Sequence, residues 1–290
     1  MENKRILVIG GTGYIGTSLV KKLNDSNYDV TLLVRNGHLL NESNKCKYFI
    51  GNLLDKESLI EKINDFDLII NLASVVRTIN KKKYTDNIIG LKNLIDVMEK
   101  KKIKRMIYFS TQNVNLKDKG YYSESKEICE KLLIGSNLEY IIIRPNYVYG
   151  IDKNNDFYRM AVFIAYSHIA PIIGNGNYKI QPVLKEDLAN STLEIITEFK
   201  SGSIIEVSGN ETISIKEIIR LIGKDLKVNP LMLHIPIKLL KIFDRFIPFD
   251  VDGFTEDRIS ASPLKCQFSS FSDNLKKILS LIKTEKNFPE

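Results

Sequence analysis

The sequence predicts a doubly wound α/β protein: a parallel sheet with helices on both faces, followed by a smaller C-terminal lobe. Three observations carry this expectation. Short apolar strands alternate with helical patterns over the first 150 residues, those strands are continuous apolar runs, and a glycine-rich turn follows the first of them directly. Continuous runs belong to strands buried on both faces, as in a parallel sheet, and strand–helix alternation is the pattern of doubly wound folds.

Taken in order, residues 5–9 read as a strand, 14–24 as a helix, and 30–34 as a second strand. Residues 48–50 give a third strand, 56–63 a helix, 68–72 a fourth strand and 85–101 a long helix. A fifth strand at 105–110, a helix at 122–133 and a sixth strand at 140–144 complete the alternation. After Gly150 the rhythm breaks in a stretch rich in Asn, Tyr, Gly and Pro that runs to about 182. Residues 185–197 then look helical, 203–208 strand-like, and 212–223 helical with Thr212 or Ser214 as cap. The remainder, 225–290, reads as irregular and partly amphipathic. The expected organisation is a dinucleotide-binding domain over 1–150, joined again by about 178–208, with a substrate lobe formed by 151–177 and 209–290.

Composition narrows the function classes. The chain has 290 residues, of which 43% are hydrophobic and 27% charged, ordinary proportions for a soluble globular protein. Apolar runs are strand-sized, too short for a membrane span. The opening residues are charged and lead straight into a strand, without a secretory apolar region. Three scattered cysteines favour a reducing compartment, so the expected location is cytoplasmic. The three histidines show no metal-ligand spacing, and no metal is expected. The net charge of +7 invites a nucleic-acid partner. However, the one dense basic run, 100–105, sits where a helix ends, and cations there complement the helix dipole. No nucleic-acid module appears, so none is expected to bind.

The turn Gly10-Gly-Thr-Gly-Tyr-Ile-Gly16 lies between the first strand and the first helix. In that context the glycines have mechanical roles: Gly10 for the tight turn, Gly13 for close backbone approach to a pyrophosphate, Gly16 for helix–strand packing. Free N–H groups at the helix start then hold the anion. The second strand ends on Arg35, where an NAD site commonly carries Asp or Glu for the ribose hydroxyl. A guanidinium suits a 2′-phosphate instead, so the expected cofactor is NADP, with NAD as the alternative.

Tyr122 and Lys126 stand at i and i+4 on one helical face. A tyrosine of ordinary pKa near 10 transfers protons poorly at neutral pH. A neighbouring ammonium stabilises the tyrosinate and brings it into range, and the same lysine can reach a nicotinamide ribose. Upstream, Phe109-Ser110-Thr111 ends a strand at the carboxyl edge of the sheet, where ligands bind in such folds. A hydroxyl there, Thr111 or its rival Ser110, can orient a carbonyl or alcohol.

These motifs come in a telling sequence: the glycine turn at 10–16, Gly51-Asn-Leu-Leu-Asp55, Asn71-Leu-Ala-Ser74, Asn87 with Gly90, Phe109-Ser-Thr111, Tyr122-x-x-Ser125-Lys126, and Arg144-Pro-Asn-Tyr-Val-Tyr-Gly150. Together they resemble the extended and atypical short-chain dehydrogenase/reductases of the NAD(P)-dependent epimerase/dehydratase superfamily, over roughly residues 4–225. The resemblance implies a Rossmann fold. It further implies that Thr12, Tyr14 and Ile15 join the glycines around the cofactor, that Asn52 and Leu53 flank the adenine, and that Ala73 and Pro145 line the nicotinamide side. Thr111 would be the hydroxyl partner, Tyr122 the acid–base and Lys126 its modulator. The implied substrate is a nucleotide-activated sugar, and a homodimer would be usual.

The chain departs from 4,6-dehydratases of this family, which follow the strand-end threonine with an Asp–Glu pair; here Gln112 and Asn113 stand there. Neither amide can perform the acid–base work of water elimination. The leading expectation is therefore an NADPH-dependent keto-sugar reductase. The alternatives are a nucleotide-sugar epimerase that retains NAD, and a non-catalytic assembly or sensor subunit. In the back half, the amphipathic segment 229–251 is expected to form a short helix, bounded by Pro236 and Pro248, packing over the cleft or a partner.

Overall fold

The computed structural model describes residues 4–35, 46–242, 247, 256–261, 264 and 269–284. Its first half contains β1 (Arg5–Ile9), α1 (Gly16–Asp25), β2 (Asp29–Val34), β3 (Lys47–Ile50), α2 (Lys56–Lys62), β4 (Leu68–Asn71), α3 (Thr85–Lys100), β5 (Arg105–Phe109), α4 (Tyr121–Ile134) and β6 (Glu139–Pro145). The second half adds β7 (Val148–Tyr149), α5 (Asp156–Ser167), β8 (Ile169–Ile173), β9 (Lys179–Ile180), β10 (Val183–Leu184), α6 (Lys185–Thr197) and β11 (Ser203–Val207). It closes with β12 (Ile213–Ser214), α7 (Ile215–Leu226), β13 (Leu231–Ile235), α8 (Ile237–Ile242) and α9 (Phe271–Lys283).

Seven strands form one sheet in the order β3-β2-β1-β4-β5-β6-β11, and every neighbouring pair is parallel. Successive side chains of a strand point to opposite faces, and both faces are covered. Ile6, Val8, Leu32 and Ile107 pack with Leu19 and Leu23 of α1 and Leu188 of α6. Leu7, Ile9, Ile69 and Met106 pack instead with Leu94 and Met98 of α3 and Leu133 of α4. Burying such a side chain fully is worth about 1.5–3 kcal/mol, which fixes the register. The sheet is thus the doubly wound architecture expected. Its order reverses at β1, so a crevice opens beyond the carboxyl ends of β1 and β4.

A third core joins α5, α7 and α9, where Tyr149, Phe157 and Phe271 pack at centroid distances of 5.1 to 6.0 Å. Here the expectations need correction. The stretch after Gly150 contains α5, whose buried positions Phe157, Tyr158, Ala161, Ile164 and Ala165 follow helical spacing, directly after the polar run that ends in its cap, Asn155. The helix expected at 212–223 runs instead over Ile215–Leu226, because Ile213 and Ser214 pair with β9 and Ser214 forms a capping box with Glu217. The tail expected to be irregular holds α9, capped by Ser270, and β13, which pairs with β8. Only residues 237–242 of the amphipathic segment are described as helix, and none of them is buried. A short helix thus follows Pro236 as expected, and residues 243–246 and 248–251 of the segment lie outside the described residues. No described helix is long and apolar enough to cross a membrane.

Candidate active site

The glycine turn shows why its residues are glycines. Gly10 has φ +81°, and a Cβ there would stand 2.7 Å from the Ala73 nitrogen of the next strand's loop. At Gly16 a Cβ would collide with the Gly10 carbonyl oxygen and lie 2.7 Å from Gly11 Cα. The helix can therefore begin hard against the turn. The start of α1 has no side-chain cap and no acidic residue in its first turn, so its positive end is open to an anion.

A cleft of about 540 Å³ opens at this point. Gly10, Thr12 and Gly13 form one wall, Arg35, Asn52 and Leu53 another, and Ala73 and Ser74 a third. The structure thus brings together, around one cavity, residues from the ends of β1, β2, β3 and β4. The cavity has the position and chemistry for a dinucleotide: an uncapped helix start for pyrophosphate, and a cation at the end of β2. Arg35 is exposed, and Asn36 after it lies outside the described residues.

Of the expected cofactor set, Tyr14, Ile15, Gly16, Lys126 and Pro145 do not line this cavity. Ile15 packs into the core beneath α1. Tyr14 turns towards Gly150, and the Lys185 ammonium lies 4.7 Å from its ring centre while holding Asp152 at 2.6 Å. Burial and the nearby Asp152 carboxylate push the Tyr14 phenol far above its usual range. Pro145, buried, ends β6 opposite Val207. Asn71 and Asn87 bind backbone: Asn71 accepts from the Ala73 N–H at 3.0 Å and Asn87 from the Val75 N–H at 2.7 Å. They hold the β4 loop that forms the cavity wall.

On α4, Lys126 is fully buried and Tyr122 half-buried. The Lys126 ammonium donates to the Phe109 carbonyl at 2.6 Å and lies 4.2 Å from the Tyr108 ring centre. Burial lowers its pKa to about 8. The Tyr122 ring sits 6.2 Å from that of Tyr84, whose hydroxyl donates to the Val76 carbonyl in the β4 loop. This ring contact ties α4 to the cavity wall.

Thr111 follows β5, and its hydroxyl accepts from the Asn113 N–H at 3.3 Å. Its rival Ser110 is buried, and its hydroxyl has no hydrogen-bond partner. Gln112 is committed to the fold: it donates to Ser208 at 2.9 Å and accepts from Asn146. Arg258, which the sequence pattern did not flag, also arrives here, with Nη1 3.4 Å from Asn113 Oδ1.

Residues 10–162 match the family model of NAD(P)H-binding proteins. A protein of Methanocaldococcus jannaschii named "Putative UDP-glucose 4-epimerase" is 28% identical over 253 residues, covering 76% of this chain and 82% of its own length. A UDP-N-acetyl-alpha-D-glucosaminuronate decarboxylase of Bacillus cytotoxicus is 24% identical over 98% of this chain and 99% of its own. Other relatives align over only 44% to 56% of their length. Among solved structures, the UDP-glucose 4-epimerase of Thermus thermophilus, in complex with NAD, superposes with a TM-score of 0.76. That match has 17% identity and spans 95% of this chain and 98% of the other. The chain therefore belongs to the NAD(P)H-binding family, as an enzyme of the short-chain dehydrogenase/reductase type built on the epimerase/dehydratase fold.

Proposed function

We propose that the protein is an NADP(H)-preferring oxidoreductase of nucleotide-activated sugars, acting as a keto-sugar reductase. The observation that carries the preference is Arg35, which lines the cavity at the end of β2, the position where an acidic residue would select NAD. When bound, NADPH supplies the hydride that reduces the ketone carbon. Thr111 orients the carbonyl, and Tyr122 donates a proton to its oxygen. Lys126, held by the Phe109 carbonyl, supplies positive charge one helical turn from Tyr122 and so favours the tyrosinate left behind. Because burial has lowered the Lys126 pKa to about 8, this support weakens in alkaline solution. Gln112, tied to Ser208 and Asn146, leaves no acid for water elimination after Thr111.

A second reading, an epimerase that retains NAD, is favoured by the Methanocaldococcus relative, which aligns over 82% of its own length. The two readings separate on cofactor exchange. NADPH consumption is followed at saturating 4-keto nucleotide sugar, together with the dinucleotide content of the purified protein. The reductase reading expects NADPH turnover and binding of NADPH about tenfold tighter than NADH, the discrimination of one good charge-assisted contact. Tightly held NAD with no NADPH consumption gives the site to the epimerase.

A further inference from the structure

We propose that the outer face of the β8–β13 sheet, together with α8, docks on the surface of an anionic phospholipid bilayer. The proposal goes beyond the reaction and holds whichever carbonyl the site reduces.

This face is apolar on the side that the fold leaves uncovered. Strands β8 and β13 pair in parallel, so Leu231, Leu233 and Ile235 stand beside Ile169, Pro171 and Ile173 on one face. The opposite face, with Ala170, Ile172 and Met232, joins the third core. A sheet covered on one side ordinarily alternates apolar inward and polar outward. Here the outward positions are apolar as well: Leu231 is 68% exposed, Leu233 is 53% exposed, and Pro171 is exposed. Helix α8 follows directly after Pro236, with Leu239 exposed and Ile242, three residues on, 72% exposed. Single exposed apolar side chains are normal, whereas a contiguous set marks an interaction surface.

Charge selects the partner. Residues 157–180 and 227–242, which build the face and its support, contain no Asp or Glu, in a chain that has 35. They do contain Lys227, Lys238 and Lys241, all exposed. The acids just before these two stretches are engaged elsewhere, Asp156 with Arg77 and Tyr147, and Asp225 with Lys283 at 2.7 Å. Asp244, the first acid after them, lies outside the described residues. Apolar side chains framed by cations match an anionic bilayer: the apolar groups enter the acyl boundary while the ammonium groups meet the phosphates. A second copy fits poorly, because a two-fold contact sets a patch against itself and would turn these lysines on one another. No described helix is long and apolar enough to span the bilayer, so the attachment proposed is peripheral.

The docking segment is also tied to the rim of the active site. Lys81 donates to the Ile247 carbonyl at 3.1 Å, and the short turn it opens ends at Tyr84, whose ring contacts Tyr122. Ile247 follows the end of α8 at Ile242 by five residues, at most about 18 Å of extended chain. A docked α8 therefore keeps this rim close to the bilayer.

The chain contains no tryptophan, so a single introduced indole reports its own surroundings. Full-length Leu233→Trp and Leu239→Trp are titrated with vesicles of phosphatidylcholine, or of an equal mixture of phosphatidylcholine and phosphatidylglycerol, with Tyr48→Trp on β3 as control. Emission from positions 233 and 239 should shift to the blue on the mixed vesicles, less so on the neutral ones or in high salt, and that from position 48 should not. In flotation assays, Leu233→Thr/Leu239→Gln should weaken binding about tenfold or more, the transfer value of a buried leucine. Lys238→Gln/Lys241→Gln should weaken it about fivefold per lysine on the mixed vesicles, and both variants should keep the wild-type melting temperature and NADPH affinity. Absence of wild-type binding to the mixed vesicles overturns the proposal, as does aqueous emission from both 233 and 239 in protein that floats with them. Binding weakened by the lysine variant but not by the leucine variant is general attraction of a chain of net charge +7, and also overturns it. A dimer without vesicle binding, broken by Leu233→Thr/Leu239→Gln in sedimentation, gives the face to a second copy instead.

Discussion

Tyr122 and Lys126 share one face of α4 yet sit in different surroundings, one half-buried beside Tyr84 and the other sealed under β5. Replacing Tyr122 with Phe removes a hydroxyl and little packing. Turnover should fall by about 10²–10⁴, the usual contribution of a positioned acid–base group, while thermal unfolding and NADPH affinity stay near wild type. Lys126 makes a pH prediction with a definite sign. Its native pKa is lowered to about 8, so between that pH and the ordinary lysine value near ~10.4 the native state sheds a proton that the unfolded chain keeps. The Lys126 contribution to stability therefore rises with pH across that window. Denaturant titrations at about pH 7.5 and 10 should show wild type gaining on Lys126→Met by on the order of a few kcal/mol at most. At Gly10, alanine meets both φ +81° and the Ala73 nitrogen. It should cost about 1–3 kcal/mol and abolish dinucleotide binding in a fluorescence titration. The glycines and the Tyr–Lys spacing could be read from sequence because each is set by local geometry. Arg258 could not, since its meeting with Asn113 spans 145 residues of chain and no local pattern records it.

At the scale of elements, the parallel sheet was legible because both-face burial writes itself as continuous apolar runs. The lobe was not. Its helices present apolar faces interrupted by polar and aromatic residues, and its strands are mostly pairs of residues, such as β9 and β12, too short to leave a period. Helix α9 did carry a readable signal, with Ser270 as cap and Phe271, Leu275, Ile278, Leu279 and Ile282 on one face. The capping box that starts α7 is a direct test of why that helix begins at Ile215. Ser214→Ala should destabilise the protein by about 1 kcal/mol, read as a lower denaturation midpoint with unchanged denaturant slope.

Across the molecule, the β4 loop and the lobe are joined by Arg77, Asp156 and Tyr147. Arg77 Nη2 donates to Asp156 Oδ2 at 2.6 Å, and the Tyr147 hydroxyl donates to the same oxygen at 3.0 Å. Burial alone would raise the Asp156 carboxyl, but the Arg77 hydrogen bond and charge, with Tyr147, hold it below the usual range. A depressed carboxylate contributes stability that is present above the unfolded value near ~3.9 and lost as pH falls below it. The stability advantage of wild type over Asp156→Asn should therefore shrink as pH is lowered from about 5 to 3, as measured by denaturant titration. Because the bridge ties a cofactor-cavity wall to α5, Asp156→Asn should also raise the KM for a nucleotide sugar by a few-fold at neutral pH, about the effect of one partly exposed ion pair.

We propose hydride transfer from a nicotinamide to a keto sugar with Tyr122 as proton donor. It is tested most directly with NADPH deuterated at the transferred position of C4 and a 4-keto nucleotide sugar. Mass spectrometry of the product should find one deuterium on the new carbinol carbon for wild type, with the rate reduced about 10²-fold or more for Tyr122→Phe. Product without deuterium, or equal rates for the two proteins, would contradict it.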